Sequence, residues 1–248
     1  MTSPVTCATP KPSLRLPNLI HMCGRFSITG DLDFYAEYFG VDDVVTDPIE
    51  KSWNVAPTDP VYVIAEREGR KELGSMRWGL IPHWAPNTKS IHINARSETV
   101  ATTAAFRDSF ARKRCLIPAD GFYEWEPAER GRTPHWVYRA DGHPMVFAGI
   151  WASRIDPDTE EWHRTCSIIT GEARGTIASI HDRMPIALVP SVWDNWLARD
   201  LRDPETITSL LQPVDADSVM EHIVSRNVNA VRNNDPGLRD RVEPETLF

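Results

Sequence analysis

The spacing of apolar residues along the chain predicts several short helices. Aromatic residues at 34, 35, 38 and 39 recur at helical spacing before Gly40, which predicts a helix at 31–39 with a buried aromatic face and a glycine stop. Apolar residues at 101, 105, 106 and 110 predict an amphipathic helix at 101–112. Two further short helices are expected at 193–197 and 206–211.

Shorter apolar runs, many of them next to proline or glycine, predict strands. Strands are expected at 61–65, 74–82, 91–93, 115–118, 166–170, 186–189 and 223–224. Apolar runs at 135–139 and 144–150 flank Asp141-Gly142, a pair typical of a β-hairpin turn. These elements predict a single α+β domain, built as a strongly bent mixed β-sheet or open barrel with short peripheral helices.

The pattern also indicates where the domain begins and ends. Residues 1–21 contain four prolines without a continuous apolar core, and we expect a disordered extension or a misassigned start. The domain is expected to cover 22–240, followed by a tail at 241–248. No stretch of the chain is long and apolar enough for a membrane span, so we expect a cytoplasmic protein with no membrane partner.

Composition and charge exclude few classes of function. The formal net charge of -8 disfavours nucleic-acid binding by the molecule as a whole, because phosphate binding depends on Lys and Arg. The charges are uneven, however: residues 31–50 hold seven acids and no base, whereas 89–114 hold six bases and two acids. The basic stretch fits either a DNA-binding face or a solvated helix surface. The four cysteines lie far apart, which argues against a disulfide framework or a zinc site.

Cys23 follows Met22 and is the first candidate for chemistry. Removal of Met22 would place a free α-amine and a thiol on one residue, and these two nucleophiles condense with an aldehyde to an imine and then a thiazolidine ring. The alternative is a small buried hydrophobic residue at the start of a strand.

Three other segments carry polar residues suited to catalysis or binding. Asn94 and Arg96 lie on one face at the end of a strand, where they fit a substrate oxygen and a phosphate, or alternatively a helix cap and an acid. Glu124 stands between Tyr123 and Trp125, a setting that favours a protonated general acid, or an edge-strand carboxylate whose tip reaches water. His181 fits either a proton shuttle or a structural role.

A series of motifs in order along the chain resembles the SRAP family, the SOS-response-associated proteins that process abasic sites. The motifs are Cys-Gly-Arg-Phe at 23–26, Trp-Asn-Val-Ala-Pro-Thr at 53–58, Met-Arg-Trp-Gly-Leu-Ile-Pro at 76–82, Asn-Ala-Arg-Ser-Glu-Thr at 94–99, the segment 115–125, His-Asp-Arg-Met-Pro at 181–185, Asn229, and Asn-Asn-Asp-Pro at 233–236. The resemblance extends over residues 22 to about 240.

The resemblance implies a protein that binds single-stranded DNA with an abasic site and forms a thiazolidine crosslink to the sugar aldehyde. By position in the motifs, the catalytic residues would be Cys23, Asn94, Glu124 and His181. The DNA-contacting residues would be Arg25, Asn54, Arg77, Trp84 and Arg96. The resemblance also implies lyase-like chemistry, an autoproteolytic peptidase activity, a monomer, and no metal or organic cofactor.

Two other functions remain open from the sequence. An N-terminal-nucleophile peptidase or amidase would use Cys23 on a carbonyl without DNA. A non-catalytic single-stranded DNA-binding module would use the tryptophan-rich surface and the basic stretch.

Overall fold

The computed structural model describes residues 23–87, 91–129, 131–155 and 160–243. The helices are Leu32–Phe39 (α1), Arg107–Arg112 (α2), Trp193–Leu197 (α3) and Pro204–Ser209 (α4). The strands are Arg25–Ile28 (β1), Asp43–Val44 (β2), Ser52–Val55 (β3), Pro60–Arg67 (β4), Arg70–Trp78 (β5), Asn94–Arg96 (β6), Arg114–Ala119 (β7), Gly121–Pro127 (β8), Arg132–Arg139 (β9), Met145–Ile155 (β10), Trp162–Glu172 (β11), Arg183–Pro185 (β12) and Val219–Ile223 (β13). The predicted extension at 1–21 and the end of the predicted tail lie outside the described residues.

The first sheet closes into a five-stranded barrel. Its strands follow the order β11, β10, β7, β4 and β5, and parallel pairing between β5 and β11 closes the ring. β2, β6 and β12 add to this sheet at its margins, with β2 and β6 also in parallel pairs. The predicted α+β fold with a bent mixed sheet is confirmed, and the barrel is closed.

The second sheet has five antiparallel strands in the order β13, β9, β8, β1 and β3. Phe26 on β1 joins it to the barrel, with its ring centroid 4.9 Å from that of Trp78 and 6.0 Å from that of Phe147. Phe122, opposite Phe26 on β8, also packs on Phe147. Because these rings are fully buried, the aromatic contact fixes β1, and with it Cys23, against the barrel.

The predicted hairpin at Asp141-Gly142 is wrong. β9 pairs with β8 and β13, and β10 pairs with β7 and β11, so the turn carries the chain from the second sheet to the barrel. The local turn signal is nevertheless real, since Gly142 has a φ of 74° and the Asp141 carboxylate accepts a hydrogen bond from the His143 backbone amide. Turn chemistry does not determine which strands pair across the turn.

Several predicted element boundaries also differ from the structure. The helix at 101–112 begins only at Arg107, because residues 97–106 form hydrogen-bonded turns in which the Thr103 hydroxyl bonds the Thr99 carbonyl. Residues 186–189 make only isolated bridges, and the strand is at Arg183–Pro185. Asn94 and Arg96 are themselves the ends of β6, rather than the residues that follow a strand at 91–93. Phe34, expected in the buried face of α1, is 46% exposed.

Arg114 shows that the basic stretch is not simply a solvated helix surface. Its buried guanidinium donates to five backbone carbonyls at the ends of α2 and α3 and in the loop after α3. The acceptors are the carbonyls of Phe110, Ala111, Trp196, Ala198 and Leu201. Burial lowers the pKa of Arg114 to about 10, so the side chain remains charged at neutral pH. Arg114 therefore ties both helices to β7.

None of the described helices is long and apolar enough to cross a membrane.

Replacing Arg114 by methionine should strongly destabilise the fold. The substitution keeps an unbranched apolar stem but leaves buried carbonyls without donors, and an unpaired buried acceptor costs roughly 1–3 kcal/mol. We expect Arg114→Met to lower the free energy of unfolding by about 3 kcal/mol or more in a urea titration. The exposed Arg112→Met is the control and should change it by less than about 0.5 kcal/mol. Equal effects of the two substitutions would contradict the anchoring role.

Candidate active site

Cys23 lies immediately before β1 and is only 3% exposed. Its thiol points to the Arg183 carbonyl oxygen at 3.7 Å, and its own carbonyl accepts a hydrogen bond from the Asn94 amide at 3.3 Å. Burial raises the pKa of the Cys23 thiol well above its usual value, and the neighbouring Glu124 carboxyl raises it further. The thiol is therefore protonated at neutral pH and must lose its proton during any reaction.

Glu124 on β8 is 2% exposed and lies beside the Cys23 thiol. Burial raises the pKa of Glu124, while the nearby His181 and the contact with Cys23 oppose the shift. One carboxyl oxygen accepts a hydrogen bond from the Trp125 backbone amide at 3.3 Å, and the other, Oε2, has no hydrogen-bond partner in the described structure. Burial thus favours the protonated form of this carboxyl group, and a carboxyl group with one oxygen free of hydrogen bonds is well suited to proton transfer.

His181 and Arg183 complete the site through backbone contacts. His181 Nδ1 lies 3.0 Å from the Arg183 backbone amide, 3.2 Å from the Arg183 carbonyl oxygen and 3.1 Å from Asp182 Oδ1, so the contacts of this mostly buried ring are made at Nδ1. The Arg183 guanidinium forms a bidentate ion pair with Glu98, at 2.6 and 3.0 Å, and donates to the Thr170 carbonyl at 2.6 Å. Because its main chain contacts both the Cys23 thiol and His181, Arg183 holds these two groups in place.

Arg183 was missed as a functional residue by sequence reasoning. In the sequence it stands only as one position of the motif at 181–185, and the alternation of β12 gives no reason to single it out. Its importance comes from Glu98, which lies 85 positions away in sequence and reaches it only in the folded chain. The acid in the segment 94–99 is the one signal that could have suggested a partner for this arginine.

Asn94 on β6 also belongs to this group. β6 runs parallel to β11 with Asn94 opposite Ile168, which directs the buried Asn94 amide to the Cys23 carbonyl. Asn94 Oδ1 is a second buried oxygen without a hydrogen-bond partner in the described structure. The structure thus brings the four predicted catalytic residues, Cys23, Asn94, Glu124 and His181, into one site, whereas their catalytic roles stay predictions.

Arg25 and Asn54 lie in an internal network with the C-terminal segment. The Arg25 guanidinium donates to Asn54 Oδ1 at 2.7 Å and to the Val228 carbonyl at 2.9 Å. Buried Asn54 donates to the carbonyls of Val228, Ala230 and Asn233. This arrangement favours a positioning role for both residues, and their direct contact with DNA stays a prediction.

Asn229 and Asn234, which belong to the motifs near the C-terminus, make hydrogen bonds in the same network. Asn229 Oδ1 accepts from the Trp125 indole at 2.8 Å, and Asn234 Oδ1 accepts from the Trp53 backbone amide at 2.7 Å. These contacts bind the last part of the described chain to β3 and β8, next to Glu124.

The other predicted DNA-contacting residues are more accessible. Trp84 is 55% exposed on a loop, Arg96 is exposed and Arg77 is partly exposed. Neither guanidinium has a polar partner among the described residues, so both remain available to an anion. Their contact with DNA stays a prediction.

The chain is thus an α+β protein of two sheets in which a buried thiol, a buried carboxyl group and a partly buried imidazole share one site. The chain belongs to the SRAP family, described as SOS response associated peptidase, whose family model matches residues 22–231.

Relatives and solved structures agree with this membership. The chain is 37% identical over 221 residues to the Abasic site processing protein YoqW of Bacillus subtilis, covering 88% of this chain and 98% of YoqW. It is 32% identical over 217 residues to the Abasic site processing protein YedK of Escherichia coli, covering 86% and 96%. A crystal structure of a protein from Bacteroides thetaiotaomicron superposes with a TM-score of 0.80 at 26% identity, over 89% of this chain and all of that one.

The raised pKa of Glu124 makes the stability of the protein depend on pH. Between the unfolded pKa near 4.3 and the higher folded pKa, the folded protein binds a proton that the unfolded chain has released, so stability falls as pH rises through this window. Glu124→Gln removes the titration. We expect this variant to be more stable than the parent at pH 7–8 in thermal unfolding, with the difference disappearing near pH 4.

The exposed Glu172→Gln substitution on β11 is the matched control, and its melting temperature should follow that of the parent at every pH. A Glu124→Gln variant that is less stable than the parent at pH 8 would contradict the desolvation of this carboxyl group.

Proposed function

We propose that this protein binds single-stranded DNA at an abasic site and forms a covalent thiazolidine crosslink between Cys23 and the sugar aldehyde. The observation that carries the proposal is the meeting of the Cys23 thiol, Glu124, whose pKa is raised by burial, and His181 in one site, where Asn94 Oδ1 and Glu124 Oε2 have no hydrogen-bond partner in the described structure. The names of the relatives as abasic site processing proteins support the choice of DNA lesion.

The first step of the reaction requires an open sugar. An abasic deoxyribose is mostly a cyclic hemiacetal, and it opens when its ring oxygen gains a proton and its anomeric hydroxyl loses one. His181 Nε2 would donate the first proton, and water would accept the second. The product is an aldehyde at C1′.

Glu124 serves the following condensation. The Cys23 amine adds to the aldehyde carbon to give a carbinolamine, and Glu124 donates a proton to the departing hydroxyl, which leaves as water. Loss of this water leaves an iminium whose nitrogen keeps its own hydrogen. The thiol then adds to the iminium carbon, and its proton passes to His181 Nε2, which had given one to the sugar ring oxygen, so the product is a neutral thiazolidine. Asn94 would hold the backbone of Cys23 during these steps, because its side-chain amide donates a hydrogen bond to the Cys23 carbonyl oxygen.

The amine must be free for this sequence to begin. In the sequence, Met22 precedes Cys23. If Met22 is the start of translation, removal of the initiator methionine frees the amine; otherwise cleavage of the Met22–Cys23 bond, a peptidase reaction, would free it. The thiol would add to the Met22 carbonyl carbon, the Cys23 nitrogen would leave protonated, and water would hydrolyse the thioester. An imine that does not close to a ring would instead favour β-elimination of the 3′ phosphate, which is lyase chemistry.

Crosslinking tests the proposal directly. We would prepare protein whose first residue is Cys23 and incubate it with a single-stranded oligonucleotide that carries one abasic site. We expect a heat-stable adduct on a denaturing gel, and no stable adduct with Cys23→Ala, because the variant lacks the thiol that closes the ring. Cys23→Ser, which retains the amine, should give an adduct that is trapped only by reduction.

Three results would overturn or redirect the proposal. A heat-stable adduct with Cys23→Ala would exclude the thiazolidine. Binding of the oligonucleotide without any adduct from the Cys23 protein would favour a single-stranded DNA-binding module. Cleavage of peptides without DNA binding would favour an N-terminal-nucleophile peptidase.

Noncovalent binding should depend on salt through the accessible arginines. In a Cys23→Ala background, each phosphate contact contributes about 0.7 to the slope of log affinity against log salt concentration for single strands. We expect Arg77→Ala and Arg96→Ala each to reduce this slope by about that amount and to weaken binding in fluorescence anisotropy. Arg112→Ala, an exposed arginine on α2, is the control. An unchanged slope in both variants would remove these arginines from the DNA interface.

A further inference from the structure

His135 is a buried histidine that lies behind Glu124 and has no part in the chemistry described so far. It is 6% exposed and stands on β9 directly opposite Glu124 in the antiparallel register of β8 and β9. Side chains of directly opposite residues point to the same face, with Cβ atoms about 4.5–5.5 Å apart. His135 and Glu124 therefore share one buried face of the second sheet.

The ring of His135 is held by an acid on the third strand of this sheet. Nδ1 lies 2.6 Å from Glu221 Oε2 on β13. A carboxylate at Nδ1 fixes the tautomer in which Nδ1 carries the hydrogen, and Nε2 becomes the nitrogen that gains and loses a proton. Nε2 is 3.4 Å from Glu126 Oε2 but makes no hydrogen bond within the described structure.

Two buried polar atoms on facing residues, His135 Nε2 and Glu124 Oε2, thus make no hydrogen bond within the described part of the chain, although Nε2 lies within ion-pair distance of Glu126 and Glu124 contacts Cys23. An unpaired buried polar atom is costly, and most such atoms in folded proteins have a partner. A proton passing between the two, directly or through a water molecule, would satisfy both atoms. Glu126 and Glu221 are partly exposed, so they connect the histidine to solvent.

We propose that His135, oriented by Glu221, is a positioning residue that returns a proton to Glu124 while DNA covers the front of the site. This inference rests on the proposed crosslinking function. After Glu124 has given its proton to the departing water, the protonated His135 donates its Nε2 proton to the Glu124 carboxylate. The neutral ring then takes a proton from solvent on the side of Glu126 and Glu221. Reversal of the crosslink uses the same path in the opposite direction.

Other charged groups also act on Glu124, so the loss of His135 should slow the reaction rather than abolish it. The titratable and charged groups around Glu124 and His135 are Cys23 before β1, His181 before β12, Arg132 on β9, Glu126 on β8 and Glu221 on β13. Among them, His181 and Arg132 lower the pKa of Glu124 by their positive charge. Neither lies in the β8–β9 register position that faces its carboxyl group.

The test measures single-turnover adduct formation by protein that begins at Cys23, on a saturating abasic oligonucleotide. We expect His135→Gln to slow the reaction by about 10-fold or more, since a positioned acid or base contributes roughly 10²- to 10⁴-fold. Its rate should then rise with the concentration of a small buffer such as imidazole, while the rate of the parent does not. Glu221→Gln keeps the histidine and should show the same buffer dependence with a smaller loss.

A purely structural role would produce a different result. His135→Gln would then lower the melting temperature or the DNA affinity, measured in a Cys23→Ala background, and imidazole would not restore the rate. His143→Gln, an exposed histidine in the turn after β9, is the matched control and should leave the rate unchanged. If His135→Gln does not fold, the buffer dependence of the rate of Glu221→Gln alone decides between the relay and a structural role.

The two proposals fail in distinguishable ways. If the unsubstituted protein forms no adduct, the proposed function is wrong and the relay is wrong with it. An adduct that forms at the parental rate in both His135→Gln and Glu221→Gln overturns only the relay, as does a slow rate without buffer dependence.

Discussion

The register of β1 against β8 controls the active site. The pairs Arg25 with Tyr123 and Phe26 with Phe122 bring Cys23, just before β1, beside Glu124 on β8, and the same pairing directs Phe26 into the barrel. Because side chains alternate along a strand, a slip of one residue would turn Phe26 out of the core and Arg25 into it. The hydrophobic contact between the two sheets therefore also determines the position of the Cys23 thiol.

The chemistry of the site follows from how little water reaches it. Removing Cys23 and Glu124 from solvent favours the neutral form of both groups, so the thiol keeps its proton and the carboxyl group can act as an acid near neutral pH. The ion pair of Arg183 with Glu98 lies at the more exposed margin, where a charge is less costly. The Cys23 thiol and the Glu124 carboxyl group, for which burial favours the neutral form, are thus bordered by charged residues that form ion pairs and hydrogen bonds.

Sequence patterns predicted the local elements better than their pairing. The helix ending at Gly40 and the strands at 61–65 and 115–118 were found, because their signals lie within a few residues of one another. The Asp141-Gly142 turn was recognised but assigned to the wrong partners, since strand order depends on residues far along the chain. No spacing rule places Asn94, Glu124 and His181 near Cys23, and only the motif series suggested that they meet. The roles of Arg183 and His135 depend on Glu98 and Glu221, whose proximity exists only in the folded protein.

The position of β1 inside its sheet has a mechanical consequence for the proposed crosslink to DNA. β1 is hydrogen-bonded to β8 on one side and to β3 on the other, and Cys23 lies at its end. DNA pulled away from a Cys23 adduct would apply force to β1 along its axis. The hydrogen bonds of β1 to β8 and to β3 would then be loaded together in shear, rather than broken one at a time. A motor enzyme that meets such an adduct would therefore pull against the full width of the second sheet and the aromatic contact beneath it.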